Sequence, residues 1–519
     1  MKTNTIGGAL TELAKEHPNR TAIVSESKSL TFDQLAKTTE SIKELFGRST
    51  SRRLAVYLAH PGGPDFTALQ AGVMDSGHIA IPVPYKSTAA ESLRYFSVLQ
   101  PDVVCVNRIS DARGIIEALP ASTRIVVTRR DSNPADSHQT DLLADLLEGR
   151  SEPKWAGASD TTNLPGEITM IQFTSGSTGV PKGIALSATQ LLASHAICHK
   201  HLEDFRREQV FIPVPEFHAM GNALVFEHLL AGCEVNIANG MMPGEHLLRM
   251  IAKQIHSIHA NPTYFRVLLQ TQSFSPTKLP YLRHFMLGSD WIDAALLRDL
   301  RGRFPTATIH CRYGLSEAYG ALAYQSISPQ EAVVEGSLGQ FLPEVEGQLR
   351  PIDTTNPYLP SALWIRSPTM ATLQLMAGGT TQRLTDEDGF LNTGDTAIAR
   401  SDGQWTLAGR ESQFIKVNGH RISPFEIEEV LRNVPEVTEA TVTGIPDSVT
   451  GQRIVACLMP KPGAILTVDT LRRICAKQLS AYKIPHVFLL DFPAPKTPAG
   501  KVARAAFSKL VAERVRVPQ

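Results

Sequence analysis

Residues Ile168 to Gly183 read Ile-Thr-Met-Ile-Gln-Phe-Thr-Ser-Gly-Ser-Thr-Gly-Val-Pro-Lys-Gly. The run Ile168 to Phe173 has the length and apolar character of a buried strand. Behind it, Thr174 to Gly183 packs four hydroxyls, three glycines and one lysine into ten residues. Glycines let backbone N–H groups approach a phosphate and form an anion nest, while hydroxyls add donors and the lysine adds charge. Thr174, Ser175, Gly176, Ser177, Thr178, Gly179 and Lys182 are therefore the candidate phosphate cradle. It is not a Walker loop, because Lys182 is followed by Gly183 and the G-K-[ST] ending is missing. A flexible Ser/Gly/Thr linker is the plainer reading, but a linker does not usually sit directly behind a buried strand and end in Pro-Lys-Gly.

Outward from this loop the chain alternates strand and helix. Leu54 to Leu58, Ile79 to Val83 and Val103 to Val106 are short apolar runs, with helical stretches such as Thr67 to Asp75 and Thr88 to Leu99 between them. That repetition predicts parallel, helix-covered sheet. Ser151 to Pro165 is polar and reads as a surface connection. The pattern resumes at Ile168 and runs to about Ala408. After Gly409 it changes to a compact tail. There Ser423-Pro424-Phe425-Glu426 has the form of a capping box with proline at the first helical position. Ile427, Val430, Leu431 and Val434 follow on one helical face. Strands are expected at Ala440 to Ile445, Arg453 to Met459 and His486 to Leu490, and a helix at Leu471 to Leu479. The expected class is α/β: a large N-terminal domain of helix-covered sheets over residues 1–409 and a smaller α+β C-terminal domain over 413–519.

Length and composition fit this division. The 519 residues correspond to about three domain-sized units, or one large and one small. Hydrophobic residues make up 42% of them, and 51 basic residues balance 51 acidic ones. This balance excludes a disordered chain and a global polyelectrolyte partner such as nucleic acid. The six cysteines are scattered without a C-x-x-C pair, which argues against a disulfide framework or a cysteine zinc site. No secretory h-region and no apolar run of about 18 residues is present, so the expected location is cytoplasmic.

Further segments, in order, complete a resemblance. Pro215-Glu216-Phe217-His218-Ala219-Met220-Gly221 is similar to P-x-F-H-x-x-G, and Tyr313-Gly314-Leu315-Ser316-Glu317 to Y-G-x-T-E. Thr393-Gly394-Asp395 matches T-G-D. Gly409-Arg410, Ile415-Lys416, Gly419, Arg421, Pro424 and Glu426-Ile427-Glu428 look like G-R…I-K…G-x-R…P-x-E-I-E. Thr497-Pro498-Ala499-Gly500-Lys501 matches T-x-x-G-K. With the glycine-rich loop, these resemble the adenylate-forming (AMP-binding) superfamily, which includes acyl-CoA synthetases, luciferases and peptide-synthetase adenylation domains.

The resemblance implies ATP-dependent joining of a carboxylate to AMP with release of pyrophosphate, followed by transfer of the acyl group to a thiol. The thiol would belong to CoA or to a phosphopantetheinyl carrier protein. It also implies residue roles. Glu317 would bind Mg²⁺, a hard ion suited to an oxygen ligand. Tyr313, Gly314 and Ser316 would flank the nucleotide, Asp395 would accept the ribose hydroxyls, and Arg410 would reach the ribose or phosphate. Lys501 would be the lysine of adenylation and Lys416 its counterpart in the thioester-forming arrangement. His218, Gly221, Asn222, Leu287, Gly288 and Ser289 would line the acid pocket. Taken singly, Glu317 reads as a helix-capping carboxylate, Asp395 as a turn aspartate, Arg410 as a linker arginine and Lys501 as a solvated lysine.

Some positions depart from the family. The resemblance also implies a hinge at 410–412 about which residues 413–519 move as a lid, and Ser412 stands where that hinge usually has Asp or Lys. Leu287-Gly288-Ser289-Asp290 replaces the usual G-G-A, and Asp290 there could face a polar or cationic substrate group. His195, Cys198, His199 and His201 share a helix without the glutamate of H-E-x-x-H, and are read as structural or surface residues. Two other functions fit the residues: an amide-forming ligase that passes the acyl group to an amine, and a non-catalytic nucleotide-binding sensor. The expected partner is a small carboxylic acid, with neither nucleic acid nor a membrane span.

Overall fold

Short β-branched runs such as Val103–Val106 are buried along their whole length, as strands covered on both faces must be. The computed structural model describes the chain apart from residues 1–2, 48–51, 130–139, 151–154, 156–160, 162–163, 175–180, 203–204, 240–241, 333–335, 353–359, 401–403, 411–412, 418–419, 448–449, 480, 498–501 and 517–519. Among the described residues the strands form two nine-stranded sheets, one of four strands and one of five.

The first large sheet runs in the order 381–383, 373–375, 182–186, 170–174, 79–82, 55–59, 103–106, 124–127, 140–142. It is parallel from Met170–Thr174 outward to Thr140–Leu142 and antiparallel on the other side. The second runs 340–341, 321–327, 308–314, 284–288, 257–260, 209–212, 234–237, 21–24, 29–31, with a parallel centre. Helices Pro64–Asp75 and Ala219–Leu230 are buried nearly all round. A helix that is apolar on every side belongs inside a protein. They join one continuous core with residues of both sheets, including Val56, Leu58, Ile212 and Val235. Other helices cover the outer faces and form two separate cores.

Residues from Ile415 onward build their own two cores. The sheet of this small lobe holds Val437–Asp447 against Gly451–Pro460 in a long antiparallel register. Ile427, Val430, Leu431 and Val434 are buried together on one face, as their spacing predicts. The capping box does not form. Ser423 is the N-cap of helix Pro424–Arg432, but its hydroxyl donates to the Ala408 carbonyl at 2.7 Å instead of accepting from the helix. The class is mixed α/β with a large N-terminal and a small C-terminal domain. All six cysteines are buried free thiols. Among the described residues no helix is long and apolar enough to cross a membrane.

Candidate active site

Three sheets deliver their ends to one cleft. Thr174, at the carboxyl end of its strand, pairs with Lys182 across an antiparallel turn, so both ends of the glycine-rich loop face the same space. Tyr313 and Gly314 close the carboxyl end of strand Thr308–Gly314, and Ser316–Ala318 follows as a single 3₁₀ turn. Asp395 and Arg410 are cross-strand partners in the four-stranded sheet. Thr174, Lys182, Tyr313, Glu317, Asp395 and Arg410 all line a cleft of about 1650 Å³. Carboxyl ends of parallel strands are the usual ligand side of such sheets.

The Asp395 carboxylate is engaged on both oxygens. Tyr313 Oη donates to Oδ2 at 2.7 Å and Arg410 Nε meets Oδ1 at 2.9 Å. Asp395 also receives backbone support, its N–H donating to Thr393 Oγ1 at 3.0 Å. Its charge raises the pKa of Arg410, with Tyr313 and Glu317 adding to the effect despite burial. Burial, followed by the neighbouring Asp395, pushes the Tyr313 phenol well above its ordinary value. Glu317 thus sits within electrostatic reach of Arg410, its backbone carbonyl accepting from Ala371 N–H at 2.7 Å.

The donor set limits what could be bound. Among the described residues no group of three or more His, Cys, Asp or Glu side chains could hold a metal. A carboxylate such as Glu317 on a cleft wall fits a largely hydrated Mg²⁺ whose other ligands are waters and phosphate oxygens. It does not make a cage built from protein alone. The helix histidines serve structure: His195 Nδ1 lies 3.2 Å from the Glu227 carbonyl, and the His201 ring packs 4.5 Å from Tyr324. The side chain of His199 is outside the described residues.

The remaining expected site residues divide. Ser175, Gly176, Ser177, Thr178, Gly179, the hinge residue Ser412 and Lys501 lie outside the described residues, as does the side chain of Lys416, whose backbone belongs to strand Ile415–Val417. Residues flanking Lys501, among them Thr497 and Val502, line the cleft. Ala219, Met220, Ser289 and Asp290 form further parts of the cleft wall. His218 caps the helix behind that wall, its ring against Phe217 at 4.5 Å. Gly221 is packed so closely that a Cβ would stand 2.2 Å from the Pro215 carbonyl oxygen.

Two expected pocket residues are core instead. Leu287 is fully buried among the aromatic residues of the outer core, and the adjacent Gly288 lies against the Arg312 side chain. Asn222 is fully buried, exchanging hydrogen bonds with Gln70 at 2.6 and 3.0 Å and accepting from Tyr319 Oη at 2.8 Å. Ser289 stands on the cleft with φ +74, in the left-handed region that favours glycine.

Sequence reading passed over three features. Glu216 is fully buried, accepts from Thr67 Oγ1 at 2.6 Å and from Gly63 N–H, and is pushed by burial up to about 7. Its place as the variable residue of a motif hid it. Glu227 and Arg312 form a buried ion pair at 2.8 Å under the cleft, 85 residues apart and invisible to local pattern. Trp291, one residue beyond the Asp290 departure, stacks on Phe425 of the small lobe.

Comparison with known proteins bears on the fold and the family. The chain is 25% identical over 509 residues to 4-coumarate–CoA ligase-like 9 of Arabidopsis thaliana, covering 94% of this chain and 86% of that one. Its fold superposes on the anthranilate CoA ligase AuaEII in complex with anthranoyl-AMP with a TM-score of 0.82, 22% identity and 98% of both chains covered. The amide bond synthetase McbA of Marinactinospora thermotolerans gives 0.80 at 20% identity, over 98% of this chain and 99% of that one. A family model described as AMP-binding enzyme matches residues 10–373, and the model of the AMP-binding enzyme C-terminal domain matches 426–501. With the first of these spanning well over half its length, the chain belongs to the AMP-binding enzyme family.

Proposed function

We propose that the protein is an ATP-dependent acid–thiol ligase. A carboxylate oxygen attacks the α-phosphorus of ATP, a P–O bond forms, and pyrophosphate leaves with the electrons of the broken bond. The thiol sulfur of CoA then bonds to the acyl carbon, and AMP departs. The observation that carries this reading is the convergence of Lys182, Glu317, Asp395 and Arg410, from three sheets, on one cleft.

Each group has a physical task. Asp395, held by Tyr313 and Arg410, presents lone pairs to the two ribose hydroxyls. Lys182 and the loop before it neutralise phosphate charge. Glu317 would hold Mg²⁺, which when bound offsets phosphate charge and orients the leaving group. Lys501 contributes a compact ammonium to the charge that develops at the α-phosphate. The wall around Met220, Ser289 and Asp290 faces the acid. The small lobe then turns about residues 410–412 to exchange Lys501 for the face that bears Lys416.

Pyrophosphate exchange across a panel of carboxylic acids, followed by mass spectrometry of products with CoA, tests the reading. At least one acid is expected to support exchange and yield an acyl-CoA. Lys501→Ala is expected to abolish acid-dependent pyrophosphate release while leaving the fold intact, and full activity in that variant would refute its role. Transfer to a carrier protein's phosphopantetheine or to an amine, with no acyl-CoA formed, would redirect the second step. An amine acceptor would match the likeness to McbA.

A further inference from the structure

The two lobes meet at an aromatic stack. The Trp291 indole of the large lobe stacks on the Phe425 ring of the small one, centroids 4.9 Å apart and planes inclined by 23°. On Phe425 the Arg504 guanidinium also lies, 4.6 Å from the centroid. Arg504 is fixed in turn by Glu428, which it meets at 2.7 and 3.0 Å. Phe425 further touches the strand that bears Arg410. At Gly409, φ is +122 and a Cβ would come within 3.0 Å of the Phe425 ring.

Other contacts of the same segment run in parallel. Arg298 Nη2 donates to Asn433 Oδ1 at 2.9 Å. Burial opposes the charge of Arg432, while Glu428 and then Asp293 and Asp290 of the large lobe sustain it. Asp293 also pairs with Arg266 of its own lobe. The Asp290 expected to face a substrate therefore also lies within electrostatic reach of a small-lobe arginine. Residues 290–298 present a ring, two carboxylates and a guanidinium to the small lobe, and Ser289 of the cleft wall is their immediate neighbour. Arg504 lies three positions after Lys501 in the chain.

We infer that Trp291 is a positioning residue: its stack on Phe425, backed by Arg504, latches the small lobe to the acid-side wall of the cleft and so sets the start of the helix that follows Lys501. An offset aromatic stack is worth roughly two- to tenfold in an equilibrium constant. A latch of that strength holds one arrangement of the lobes yet yields to a modest binding preference for another.

The test uses the full chain as wild type, Trp291→Ala, Phe425→Ala, the double variant and Trp291→Phe. Small-angle scattering without ligands is expected to match the present lobe arrangement for wild type and Trp291→Phe. It is expected to show a larger radius of gyration for both alanine variants. In pyrophosphate exchange each alanine variant should lose roughly two- to tenfold in kcat, with the KM for ATP unchanged. The double variant should lose no more than the worse single one, and Trp291→Phe should recover most of the rate. Unchanged scattering in both alanine variants, or additive losses in the double variant, would overturn the latch. The kinetic half rests on the function proposed above and the scattering half does not. If no acid supports exchange in wild type, that function fails while scattering still decides the latch.

Discussion

At Asp395 the residue scale is enough to set an expectation. A carboxylate that must grip a diol works best if its own position is already fixed. Tyr313 supplies a side-chain anchor for it, through a hydrogen bond to a charged acceptor. Such bonds contribute about 1.5–3 kcal/mol. Tyr313→Phe keeps the half-buried ring and removes the hydroxyl that makes this bond. It is expected to raise the KM for ATP about tenfold, measured by the ATP dependence of pyrophosphate exchange, with a modest fall in unfolding temperature. An unaltered KM would mean that Asp395 does not hold the ribose. Glu317 and Asp395 stand out in the sequence only as members of short motifs. The Tyr313–Asp395 bond does not stand out, because it joins residues 82 positions apart that belong to different sheets. Asn222 shows the opposite failure: an amide beside a motif reads as pocket lining until its partners Gln70 and Tyr319 are seen.

Among the elements, helix Pro424–Arg432 carries the clearest energetic commitment. Glu428 is fully buried within it and accepts from Arg504, from Arg432 at 2.7 Å and from the Val442 N–H at 2.7 Å. Removing one partner of a buried charge network strands the others, typically at about 3–5 kcal/mol. Glu428→Ala is expected to produce a separate, earlier small-lobe transition in calorimetry, while Glu428→Gln should lose less. Apolar runs such as Val103–Val106 are legible as strands in the sequence, because their length and character leave little choice. Sheet membership stayed hidden. Thr21–Val24 and Ala55–Ala59 are close in sequence, yet they lie in different sheets. The Ser423 hydroxyl illustrates how a local rule loses: the carbonyl of Ala408, across the lobe boundary, captures it first.

Over the whole molecule, stability against pH reflects buried groups of opposite sign. Glu216 is raised by burial to about 7 from 4.5, so its share of stability is complete below pH 4.5 and is lost as pH rises through 7. His60 and His228 are depressed by burial to about 4 and His310 to about 3, from 6.5. Their share is complete above pH 6.5 and disappears as pH falls towards those values. Glu216 therefore offsets part of the acid loss. Glu216→Gln, which cannot titrate, removes this contribution, so wild type should gain stability relative to the variant as pH falls from 7 to 4.5. Thermal unfolding across that range measures the divergence. The contact of Trp291 with Phe425 carries a consequence for engineering. A foreign lid transplanted onto this body would meet an indole and two carboxylates shaped for a phenyl ring and an arginine. Chimeras that exchange residues 413–519 alone would assemble poorly, and those that carry 290–298 along with them would keep a matched seam.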